Sequence, residues 1–168
     1  CEDGLQAGYD TDDETTRLFA FYFQTLAVPA QRDFDLPEVK KGRQLFETIQ
    51  CASCHAPKFI TGMHEIAALS VQTIFPYTDL LLHDMGEGLA DHRPTYKADG
   101  NEWRTSPLWG IGLTRVINPK ATFLHDGRAK TLEEAILWHG GEAEESREDF
   151  KALSAGDRQA LIAFLMSL

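Results

Sequence analysis

Between residues 56 and 130 the chain is rich in glycine, proline, asparagine and aspartate and has little sustained apolar period, yet both flanks of this stretch carry helical patterning. So long a segment without regular elements is uncommon in a compact domain unless something else organises it. The sequence therefore predicts a helical frame with long loops that pack around a bulky group. At 168 residues and 43% hydrophobic, the chain suits one domain that buries about 70% of its unfolded surface.

The helical frame can be read from spacing. Leu18, Phe21, Tyr22 and Leu26 share one face of a helix expected over 14–27, with packing as its expected role. The two prolines of residues 28–37 mark a linker, and Pro37 suits the first position of a second helix running to about Gln50. Its stripe is Val39, Gly42, Leu45, Phe46 and Ile49. A glycine within a helix costs about 1 kcal/mol relative to alanine, so Gly42 on that stripe predicts close approach by another helix. Thr131 and Glu134 have capping-box spacing, opening a short helix to about His139 that Gly140 and Gly141 end. Residues 142–149, EAEESRED, read as a solvated acidic face. A last helix is expected from about Ala155 to Ser167 behind Ser154, with Leu161, Leu165 and Leu168 as its stripe and Ile162 beside it. No internal repeat is visible.

A net charge of −10 argues against nucleic-acid binding, which needs a basic patch to displace counterions, and favours a basic docking partner. No apolar run approaches the roughly 20 residues needed to cross a bilayer. Residues 1–13 are acidic and glycine-containing and read as a linker, or the tail of a preceding region, leading into a domain at 14–168. Cys1 could be the acylated first residue of a lipoprotein, half of a disulfide to a segment outside this sequence, or a point of cleavage; the polar residues after it favour the last two.

Residues 51–55 read CASCH and hold two of the three cysteines. Cys-x-x-Cys can be a redox disulfide, half of a zinc site or a haem attachment, and the residue after the second cysteine does most of the sorting. Here it is His55. In a c-type attachment two thiols add to the haem vinyl groups and the adjacent histidine ligates the iron, so one short stretch provides anchor and ligand. Zinc would need a second ligand pair, and His64, His83, His92, His125 and His139 form none at suitable spacing. A thioredoxin-like site expects a βαβ context, whereas this motif follows an amphipathic helix. The reading is one covalent haem c, and because its attachment takes place outside the bacterial cytoplasm, a periplasmic or exported protein.

Iron held by one histidine takes a second side chain as an electron carrier, or keeps an open position for peroxide or oxygen. Met85, in a loop with glycines nearby, is the leading candidate for the sixth ligand; Met63, a histidine and an open site are the alternatives. Met166 reads as core filler. His125, before the turn-forming Asp126-Gly127, could hydrogen-bond locally or to a haem propionate. Arg104 and Arg128 are candidates for pairing with propionates, since a guanidinium can hold a carboxylate bidentately. Trp103 and Trp109 are candidates for positions between the haem and the surface.

Together GRQLFETIQCASCH, PYTDLLLHDMGEGLAD, EWRTSPLWGIGLT, FLHDGRAKTLEEAILWHGGEAEESR and LSAGDRQALIAFLMSL carry a resemblance to the C-terminal haem domain of the di-haem oxidoreductases, also described as thiol oxidoreductases. These are related to bacterial di-haem cytochrome c peroxidases and MauG. The resemblance implies an all-α, cytochrome c-like domain wrapped around one haem, with thioethers from Cys51 and Cys54, His55 proximal and Met85 distal. It also implies an electron-transfer role in which low-spin iron passes electrons between redox donor and acceptor proteins, including a second haem domain on an N-terminal region outside this sequence. The alternatives are a peroxidase or other oxidoreductase acting at this haem itself and a stand-alone monohaem carrier.

Overall fold

The computed structural model describes residues 11–168, so Cys1 and most of the expected linker lie outside the described residues. Six α-helices are described: α1 (Asp13–Gln24), α2 (Pro37–Thr48), α3 (Thr114–Ile117), α4 (Leu132–Leu137), α5 (Glu144–Ala152) and α6 (Ala155–Ser167). Among them run four short strands: β1 (Phe59–Ile60), β2 (Thr73–Ile74), β3 (Leu82–Asp84) and β4 (Glu102–Arg104). They pair antiparallel as β1–β2 and β3–β4, with Leu82 opposite Arg104 and His83 opposite Trp103. The architecture is therefore mixed, a helical frame with two small sheets, and not all-α. The difference arises in the loop-rich middle, where two- and three-residue strands satisfy backbone groups that would otherwise be unpaired. Strands that short leave no alternating pattern to detect.

The core forms where α2 crosses α6. Val39, Phe46 and Ile49 of the first segment meet Leu161, Phe164, Leu165 and Leu168 of the second, with Tyr77, Leu132 and Phe150 completing the cluster. Phe164 is 0% exposed and Leu161 1%. Gly42 is the point of closest approach: a β-carbon there would overlap the Ala160 carbonyl and come within 2.6 Å of Phe164 Cβ. Gly42 thus trades helix propensity for contact between the two helices.

The linker after α1 is tied to the far end of α6. Arg32 N–H donates to the Ser167 carbonyl at 2.8 Å, and the Gln31 side-chain amide donates to Ser167 Oγ at 2.9 Å. Two sequence expectations fail in packing. α1 forms, capped by Asp12, but none of its residues is buried, and Phe23 is 65% exposed. Its apolar residues are not covered by the described residues. Met166 is exposed as well, on the side of α6 that faces away from α2.

Capping follows the sequence closely. Thr131 Oγ1 accepts from the Glu134 N–H at 3.0 Å, while the Glu134 carboxylate reaches past the cap to accept the Lys130 N–H at 2.5 Å. Thr131→Ala should cost about 1 kcal/mol, seen as a lower urea midpoint with unchanged slope; an unchanged midpoint would show that tertiary contacts alone hold α4. The acidic stretch at 142–149 falls mostly in α5, which spacing did not identify because Phe150 is the only large buried side chain of the helix.

Candidate functional site

The motif at 51–55 sits where α2 ends. Gln50 takes φ 63°, turning the chain, and Cys51–Ser53 form a single 3-10 turn closed by the Cys54 N–H on the Cys51 carbonyl, which also accepts the His55 N–H at 3.0 Å. Cys51 and Ala52 pack against the α2–α6 core. Both thiols are free and not joined to each other. Burial pushes the Cys51 thiol up to about 12 and raises that of Cys54. Reactive redox cysteines have depressed values instead, so a dithiol exchange site is disfavoured.

His55 is the most constrained side chain of the site. Its Nδ1–H donates to the Tyr77 carbonyl at 2.9 Å, which leaves the Nε2 lone pair free. A carbonyl on one ring nitrogen fixes tautomer and orientation and makes the other nitrogen a better metal ligand. Burial lowers the His55 pKa to about 4, with the Tyr77 carbonyl opposing, so the ring is neutral at ordinary pH, as a ligand must be. Tyr77 is a left-handed residue at φ 53°, an uncommon conformation for an aromatic. It is held by its ring, which stands edge-on to Phe46 at 6.0 Å and to Phe164 at 5.7 Å. The following Thr78 is fully buried; its N–H donates to the Ala56 carbonyl and its hydroxyl to the Thr105 carbonyl at 2.6 Å. The helix crossing, the 76–78 segment and the histidine are thus one mechanical unit.

Cys54, Asp79 and His83 also gather, each offering a ligand atom within 4.8 Å of the others. This trio fits a zinc site poorly. His83 Nε2 is 2.8 Å from Asp79 and its Nδ1 2.8 Å from Glu142, so both nitrogens are engaged by carboxylates. The Glu142 and Asp79 partners raise the His83 pKa against the cost of burial. Its Glu142 partner also accepts the Asp84 N–H at 3.1 Å, fastening β3 to the turn before α5.

The other candidate residues are dispersed. Met85 follows β3, half-buried, its N–H donating to the Asn101 carbonyl at 3.0 Å. Met63 is 87% exposed. Arg104 is exposed on β4. His125 is exposed and stacks on Trp103, ring centroids 3.4 Å apart, while Trp103 donates its indole N–H to the Leu89 carbonyl. Arg128 is engaged by Asp126 at 2.5 Å and by the Gly88 carbonyl, and lies 4.7 Å over the Trp138 ring. Trp109 lines a cavity of about 680 Å³ with Phe46, Phe75, Tyr77 and Arg43.

Two participants escaped the sequence reading, Tyr77, whose contribution is a main-chain carbonyl, and Glu142, hidden in an acidic run; a third, His139, is among the histidines that the sequence leaves as alternatives. The last is half-buried, and its Nδ1–H donates to the Ala135 carbonyl at 2.8 Å. Only its place just before Gly140-Gly141, at the end of a predicted helix, hinted that it is held in a defined position.

Two unbridged thiols three residues apart, followed by a neutral histidine with one nitrogen fixed and the other free, form a donor set that fits covalent attachment and axial ligation of a haem. Cys51 and Cys54 could carry the bonds and His55 the iron. No helix among the described residues is long and apolar enough to cross a membrane. A family model described as "Di-haem oxidoreductase, putative peroxidase" matches residues 3–168. Searches of curated proteins and of solved structures return no significant match.

Proposed function

Because the chain belongs to the di-haem oxidoreductase family, we propose that it is a haem c electron-transfer domain that works with a second haem centre. The observation that carries this reading is His55 tethered to the Tyr77 carbonyl at 2.9 Å beside the free thiols of Cys51 and Cys54. Bound there, a haem would supply one-electron cycling of its iron.

The protein's own part is attachment, orientation and environment. Cys51 and Cys54 would fix the group covalently to the end of α2. His55 would ligate the iron, its basicity raised by the Tyr77 hydrogen bond. Met85, on the turn after β3, or His139, after α4, would supply a second ligand. Leu80 and Leu81, next to Asp79 and exposed, offer apolar surface suited to a porphyrin edge. Arg104, His125 and Arg128 are the proposed polar neighbours of the propionates, and Trp109 a packing neighbour.

The family description counts two haems, whereas this sequence carries one Cys-x-x-Cys-His. The second centre is therefore proposed on another polypeptide segment or partner, with this domain passing electrons to it from a donor protein. A periplasmic or exported location follows from the chemistry of haem attachment.

Intact mass and steady-state kinetics of the native protein test this. One covalent haem is expected on this domain, together with a low-spin spectrum and no peroxide turnover by this haem when the second centre is removed or inactivated. Sustained peroxide reduction at this haem alone would replace the carrier reading with an enzymatic one. A mass without haem would end both.

A further inference from the structure

Resting on the haem reading above, we infer that His139, and not Met85, supplies the sixth ligand, so that the iron is held by two imidazoles. The inference comes from how the six histidines spend their ring nitrogens.

Four of them are ill-suited to ligation. His83 has both nitrogens on carboxylates at 2.8 Å. His64 Nδ1 accepts the Ile66 N–H at 3.0 Å, which puts its proton on Nε2. His92 is exposed and turns Nε2 to Glu87 at 3.4 Å. His125 is exposed and stacked on Trp103.

His139 repeats the arrangement of His55. In each ring Nδ1–H is bonded to a main-chain carbonyl, Tyr77 at 2.9 Å for one and Ala135 at 2.8 Å for the other. In each, Nε2 has no hydrogen-bond partner among the described residues. That is the pattern by which proteins prepare a histidine for a metal: one nitrogen spent on orientation, the other left as a lone pair. The helix that ends at His139 packs Leu132 and Ile136 on the same core that holds Tyr77, the partner of His55. Both histidines are disfavoured as cations by burial.

The position of His139 is set from three sides. Arg147 donates to its carbonyl at 3.0 Å. A β-carbon on Gly140 would come within 3.0 Å of the Met85 carbonyl. Gly141, at φ 54°, could carry no side chain, because one would overlap the Asp84 carbonyl. The backbone of the Asp84–Gly86 turn thus serves as the support against which the His139 turn is seated. Met85 contributes to the site through its main chain.

The test uses the native holoprotein with Met85→Leu, His139→Gly and His139→Met variants, read by absorption, near-infrared magnetic circular dichroism and electron paramagnetic resonance of the oxidised form. The parent should be low-spin, with the near-infrared signature of two imidazoles and no methionine-to-iron charge-transfer band. Met85→Leu should leave that spectrum unchanged. His139→Gly should become high-spin and return to low-spin when free imidazole is added, and His139→Met should gain the methionine band. A methionine band in the parent that disappears in Met85→Leu would overturn the inference, as would a high-spin parent or a low-spin His139→Gly protein without imidazole. Intact mass separates the two levels: a covalent haem with methionine ligation overturns only the ligand assignment, while a chain without haem overturns the haem reading and this inference together.

Discussion

Alanine at both Cys51 and Cys54 is expected to remove covalent haem altogether. After denaturation and acid–acetone extraction the parent should retain one haem on the polypeptide by mass, and the double variant none. The single variants should differ from each other, because the sites differ. Cys51 packs against the α2–α6 core, whereas Cys54 stands beside Asp79 and His83. Cys54→Ala should therefore keep haem through one thioether and remain well folded. Cys51→Ala should lose a core contact as well as a bond and show the lower thermal midpoint. Haem that stays covalently bound in the double variant would place attachment elsewhere in the chain and sink the reading of this motif.

Phe164→Ala should cost about 3–5 kcal/mol, the usual range for deleting a buried phenylalanine, against a total stability of about 5–15 kcal/mol for a domain. Phe164 is 0% exposed, its ring meeting Phe46 at 5.3 Å and Tyr77 at 5.7 Å. The cavity would open where α2 crosses α6, and the surrounding backbone is too closely seated to collapse into it, with Gly42 already against Ala160. The consequence extends to the site. Tyr77 is held in its left-handed conformation partly by Phe164, and its carbonyl orients His55. Urea denaturation should show the loss of stability, and the iron spectrum should broaden or shift in parallel while the chain is still folded. A loss below about 1 kcal/mol would mean that this crossing is not the core of the domain.

Legibility of the fold followed the range of the interactions involved. α2 and α6 could be read almost to the residue because proline at a helix start, serine at an N-cap and apolar side chains at helical spacing act within a few positions of one another. Gly42 could be read as a contact point because a glycine in a helix stripe is costly without one. α5 and the four strands could not: the former buries one large side chain, and the latter are too short to alternate. α1 could be read as a helix, but its apolar face is left exposed among the described residues, since periodicity reports a face and not what covers it.

The sequence by itself determined the chemistry available at residues 51–55, two thiols and a histidine at the spacing of haem attachment, because that spacing is a property of covalent neighbours. It also determined the helix pair that frames them. Only the tertiary structure decided the state of His55 and His83, because a partner far along the chain takes a ring nitrogen of each: Tyr77 for His55, and Glu142, beside the local Asp79, for His83. It likewise sets apart from Met85 a second residue, His139, whose sequence neighbourhood says little beyond the end of a helix. What singles His139 out is a local hydrogen bond to the Ala135 carbonyl on one side of its ring and an uncommitted lone pair on the other, and the place of that ring is set once α4, α5 and the turn after β3 have been packed together.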